Sequence, residues 1–256
     1  MAGKNLTKKP LVEALLEIKW ALESKGGVGP PIDPNFGLLP GKFHDALRNR
    51  YPEVENLPIT LVPSEITAHQ VRHRFRVSKN GWPVVQVGPG VATFNDTEGY
   101  TWENFKAGAL EMVSALKQAY PAQTFPSLKG LLLRYINGYR FDYRKDSMLD
   151  FLDKRMKVKV TLPQGVIDNG APTRPEALNA ALSYPIATPQ ATLQVRFATG
   201  KLKEEEALIW EIWCSSENPA FSIGDAAFIK WLEGAHQAVE KCFFKLIEGE
   251  LLKEFE

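Results

Sequence analysis

The sequence predicts an α+β fold, an antiparallel sheet backed by long helices. Three observations point there. Several segments alternate apolar and polar residues with period two, the mark of half-buried strands. Two segments, over 102–120 and 228–246, carry apolar stripes at helical spacing instead. The order of elements, strand, helix, hairpin and helix, occurs over 11–121 and again over 130–256, after a polar tail at 1–10.

Residues 11–20 form the first strand, with Val12, Ala14, Leu16, Ile18 and Trp20 on one face and Glu13, Leu15, Glu17 and Lys19 on the other. A Gly/Pro-rich loop over 24–41 follows, then a short helix over 42–51, with Phe43, Leu47 and Tyr51 in line and Pro52 ending it. Residues 65–77 read as a strand with Val71, His73, Phe75 and Val77 opposite Arg72, Arg74 and Arg76. Asn80-Gly81 supplies a hairpin turn, because its central positions favour positive φ. The return strand over 82–94 contains Gly88-Pro89-Gly90, a bulge or bend. Thr101 caps the first long helix and Pro121 stops it.

In the second half, 130–143 is a strand bearing Tyr135, Asn137, Tyr139 and Phe141. Asp146 or Ser147 caps a short helix through Met156, and 157–162 reads as a short extra strand. A Pro-rich connection leads to a hairpin over 191–198 and 207–214, and a long helix closes the chain. Two such halves paired edge to edge resemble, in topology alone, the saddle of the TATA-binding protein. Such a likeness does not carry function.

Composition narrows the classes. Across 256 residues, 44% are hydrophobic and 24% charged, so the chain can bury a core and is not disordered in the main. The formal net charge of +1 disfavours a uniformly basic nucleic-acid coat. It hides an uneven spread: residues 129–160 carry nine basic against four acidic side chains, and residues 201–256 six against twelve. That distribution predicts complementarity between segments, or self-association through opposite patches. The apolar stretch near the start is interrupted by Glu13, Glu17 and Lys19, so it is neither signal peptide nor membrane span. Cys214 and Cys242 read as buried thiols of a cytoplasmic protein.

The candidate binding surface is the arginine-bearing sheet face. Arg72, Arg74 and Arg76 alternate along one strand, and Arg134, Arg140 and Arg196 lie on the polar faces of others. Guanidinium groups suit bidentate phosphate or carboxylate contacts. Glu13 and Glu17, on the polar face of the first strand, and Glu211 are their natural cross-strand partners. The histidines His44, His69, His73 and His236 show no paired ligand spacing, so no metal site is expected, and no cofactor motif is present. His236 reads as a core or interface histidine beside the apolar stripe of the last helix, and Tyr135, Tyr139, Phe141 and Tyr143 as core rings.

Three segments carry a resemblance. Lys9-Pro10-Leu11-Val12-Glu13-Ala14-Leu15-Leu16-Glu17-Ile18 is similar to the opening strand of a sporadically distributed bacterial family of unknown function. Arg134-Tyr135-Ile136-Asn137 resembles that family's mid-chain strand, and Leu232-Glu233-Gly234-Ala235-His236 through Phe255 its closing helix. The resemblance implies a bacterial, cytosolic accessory protein, of a patchy distribution that fits mobile or defence-associated genes. It brings no catalytic residue.

The expected function is non-enzymatic binding of a protein segment or an anionic ligand on the arginine face. Nucleic-acid binding there is the alternative, and an acid–base enzyme using His73 with Glu13 or Glu17 a third. Replacing Arg72, Arg74 and Arg76 with alanine is then expected to abolish capture and leave the melting temperature nearly intact. Trp231, Phe243 and Phe244 on the last helix suggest a homo-oligomer.

Overall fold

On the Val12 face of 11–20, Ala14, Leu16, Ile18 and Trp20 expose no surface, whereas Val12, at a register shift of the strand, is exposed. The structure, a computed structural model, describes residues 6–24, 29–97, 99–143, 145–161 and 175–256. The first half contains β1 (Leu11–Trp20), α1 (Leu39–Leu47), β2 (Glu53–Asn56), β3 (His73–Arg76), β4 (Val84–Gly88), β5 (Val91–Asp96) and α2 (Trp102–Ala119). The second contains β6 (Leu128–Arg140), α3 (Met148–Met156), β7 (Asn179–Ile186), β8 (Ala191–Leu202), β9 (Glu205–Glu217), α4 (Ala226–Leu246) and α5 (Glu250–Phe255).

One antiparallel sheet of nine strands runs through both halves, in the order β2-β3-β4-β5-β1-β6-β9-β8-β7. At about 4.8 Å per strand it is about 40 Å wide. β1 lies at its centre, with Leu16 opposite Phe94 of β5 on one side and Leu133 of β6 on the other. The helices pack on the face that carries Leu16. Helix α2 covers β5, α4 covers β6, β8 and β9, and α1 packs on α2 with Phe43 edge-on to Phe75 of β3. Side-chain caps start three helices: Thr101 accepts from the Asn104 amide, Ser147 from Asp150 and Asp225 from Phe228.

The structure corrects several expected elements. Only His73–Arg76 of 65–77 is a strand; Ser64–Ile66 is a 3-10 turn behind Pro63, and His69 has φ 57°. The segment 82–94 is two strands that reverse at Gly88-Pro89-Gly90, where Gly90 adopts φ +73°. Strand β2 was not foreseen, because Glu53–Asn56 offers one apolar side chain, Val54, and that is exposed. Strand β7 was hidden in the Pro-rich connection. No strand forms over 157–161, where Lys157 ends α3 in the left-handed region at φ 57°. The closing helix breaks at Gly249, φ +119°, into α4 and α5. Parts of the tail (1–5), of the first loop (25–28) and of the connection (162–174) lie outside the described residues. No described helix is long and apolar enough to cross a membrane.

Part of the uneven charge is met inside the chain. Basic side chains of the 129–160 segment meet acidic ones of the terminal segment in the pairs Arg134–Glu211, Arg140–Glu205 at 2.5 Å and Arg155–Glu254.

Candidate functional site

Tyr135 and Asn137 share the helix-facing side of β6 with Leu131 and Leu133. That side should be apolar, yet it carries a phenol and an amide. Helix α4 crosses above them and lowers His236 to the Tyr135 hydroxyl. The first turn of α2 brings Trp102, whose ring stacks on the His236 imidazole at 3.8 Å and 8°. The segment ahead of β1 closes the side: the Lys8 amide donates to the Phe255 carbonyl, and the Gly138 amide to the Pro10 carbonyl. The Lys9 ammonium donates to the Tyr100 carbonyl at 2.7 Å. These parts line a half-open cavity of about 510 Å³, within the range of roughly 300–1,000 Å³ that holds small molecules.

Its polar groups form a chain. The Tyr100 and Tyr135 hydroxyls are 2.8 Å apart, and Tyr135 lies 3.0 Å from Nδ1 of His236. Glu240 is 3.9 Å from Nε2 of His236, which favours the tautomer with its hydrogen on Nε2. Nδ1 then accepts from Tyr135, and Tyr135 from Tyr100. Burial pushes the His236 imidazole down to about 4, so it is uncharged at pH 7. Burial also raises both tyrosines and the Glu240 carboxyl, with Glu103 adding to the rise at Glu240. Asn137 is 2% exposed, and its Nδ2 has no hydrogen-bond partner. A buried amide donor without an acceptor costs about 1–3 kcal/mol.

The depressed imidazole makes a direct prediction. An unfolded chain binds a proton at histidine below about 6.5, whereas the folded chain does not until about 4. The stabilising contribution of His236 is complete above the upper value and is lost as the pH falls toward the lower one. An NMR titration of the His236 ring should show its midpoint near 4; a midpoint above 6 would contradict the buried, Trp102-stacked imidazole.

The arginine face is divided. Arg72 is 6% exposed and points into the fold, donating to the Thr67 hydroxyl and to the Thr60 and Val62 carbonyls. The other residues lie on the sheet face away from the helices or at its rim, and each has a partner. Glu55 receives Arg74 at 3.3 Å and Arg76 at 2.8 Å. Arg74 continues to Gln86, Gln86 to Thr93 and Asn95, and Asn95 to Glu13. Glu17 pairs with Lys19. Glu211 takes Arg134 and, at 3.7 Å, Arg196, which also donates to Asn179. Arg140 meets Glu205. The face is therefore a set of compensated rows across the strands. His73, bonded to Asn56, shares the helix side of β3 with Phe75, so it does not meet Glu13 or Glu17. Trp231, expected on an association surface, is buried, and Phe243 stacks on Trp210.

The cavity was not singled out in the sequence. A signal was present: a phenol, an amide and an imidazole on core-facing positions, with His236 and Glu240 four apart on one helix. Pro10, Tyr135, Asn137 and His236 all line it. No family model and no curated protein matches the chain. Among solved structures, the chain is similar to the crystal structure of DynU16, a protein of the dynemicin biosynthetic locus. Identity is 14%, coverage is 70% of this chain and 74% of that one, and the TM-score is 0.25.

Proposed function

We propose that the protein is a non-enzymatic binding protein that holds a small molecule in the cavity between β6, α2 and α4. The observation that carries this is the unpartnered Asn137 amide on a wall shared with the Tyr100–Tyr135–His236 chain. The imidazole and the phenols are poorly tuned for acid–base catalysis. A general base works best with a pKa near the operating pH, and here the imidazole is pushed down and the phenols up. Benzyl alcohol, as a neutral probe at millimolar concentration, should shift the NMR signals of Trp102, Tyr135 and His236. Gln237 is exposed at the cavity rim, so Gln237→Trp should block the mouth, remove those shifts and leave the fold intact. Shifts that persist in the variant, or that never occur at these residues, would sink the proposal.

A second reading concerns the opposite sheet face, because no described helix packs on it. Half-buried Leu15, Leu132, Ile136 and Trp213 lie there among the paired charges, a pattern suited to a protein segment. Arg74→Ala with Arg134→Ala and Arg196→Ala should abolish such capture, and Gln237→Trp should not. Nucleic acid on that face would instead show affinity falling steeply with salt. The strand order also supports a chain built from one pattern used twice, with β1 and β6 central, β5 and β9 outside them, and β4 and β8 beyond.

A further inference from the structure

We propose that the cavity takes a small organic amine whose apolar body carries a hydroxyl or carbonyl. This rests on the cavity being a binding site and adds the class of ligand. Two carboxylates line it, Glu103 from α2 and Glu240 from α4. Among the described residues, the one ionisable partner within 4 Å of Glu240 is the uncharged His236 ring, and Glu103 makes no ion pair. The one lysine of the lining, Lys9, donates to the Tyr100 carbonyl and keeps its charge. Among the described residues, an anion entering here would meet two carboxylates against one ammonium. An ammonium would meet two acceptors and aromatic rings, and ring faces attract cations. Phe243 and Phe244, edge to face at 5.3 Å, offer the apolar wall. The idle Asn137 Nδ2–H group requires an acceptor, which a hydroxyl or carbonyl on the ligand provides.

The test uses three molecules of one shape: 2-amino-1-phenylethanol, 1-phenylethanol and mandelate. Each is titrated into the intact protein by calorimetry, with Gln237→Trp and Glu240→Gln in parallel. The amine should bind about tenfold or more tighter than the alcohol, the scale of one charge-assisted hydrogen bond. Mandelate should bind weakest. In Glu240→Gln the amine should lose its advantage over the alcohol, and in Gln237→Trp all binding should vanish. Alcohol or mandelate binding as tightly as the amine, with Gln237→Trp still blocking, would overturn the amine and leave the cavity standing. Failure of all three to bind the wild type, or binding that Gln237→Trp does not touch, would overturn both.

Discussion

The Arg72→Ala variant is expected to melt about 6–12 °C below the wild type, while Arg74→Ala shifts the midpoint by no more than about 3 °C. The two arginines are two residues apart, and from sequence they are equivalent members of one stripe. They differ in what surrounds them. Arg74 is partly exposed and lies on Glu55 and Gln86. Arg72 is enclosed by the loop over 57–67 and ties its Thr60 and Val62 carbonyls and its Thr67 hydroxyl to β3. Removing it leaves three acceptors without a donor and a hole where the side chain lay, at a combined cost of about 3 kcal/mol. The expectation that all three arginines are dispensable for stability is thus revised for Arg72. Thermal melts of the two single variants check this, and an Arg72→Ala midpoint within 2 °C of wild type would show that the clamp carries no weight.

Gly88→Ala is expected to be more damaging still. A methyl group there would stand 1.9 Å from the Gln70 carbonyl oxygen and 2.7 Å from its carbon. That carbonyl cannot swing aside, because its neighbours are bonded to the same hairpin: the His69 amide donates to Pro89 and the Arg72 amide to Val87. The strand must separate from the 69–72 segment, at a cost on the order of 3 kcal/mol or more. Gly41 is the control. It lies within α1 with open space where its Cβ would be, so Gly41→Ala should stabilise the protein by up to about 1 kcal/mol. Denaturant midpoints of the two alanine variants should therefore move in opposite directions. A Gly88→Ala protein as stable as wild type would refute the close approach.

Periodicity made the centre of the fold legible. Strand β1, helix α2 and the stripe of α4 were readable because each buries one continuous face, and burial imposes the period. The edges were not. Strand β2 is polar and β7 contains Pro185, so neither has the apolar alternation that marks a strand packed on a core. They form because a neighbouring strand offers unpaired backbone groups, and composition does not record that. The arginine stripe was visible as a pattern, but its partners sit on other strands: Glu55 for two of its members, Glu211 for Arg134 and Arg196. The cavity escaped for a related reason. Tyr135, Asn137 and His236 each look like an ordinary core residue, and only the crossing of α4 over β6 brings their polar ends together.

The central position of β1 has a kinetic consequence. Both of its edges wait for strands that come much later in the chain, β5 on one side and β6 on the other. Until those strands arrive, Leu16, Ile18 and Trp20 sit on a ribbon with two open edges, a template for wrong pairings. Neither edge is closed by a local hairpin, and distant pairings carry a large loop-closure cost before they return any contact. Refolding from denaturant should therefore be slow for a chain of this size. Stopped-flow fluorescence of a variant that keeps Trp20 and carries Phe at the other five tryptophans should report its burial late, in step with closure of the whole sheet.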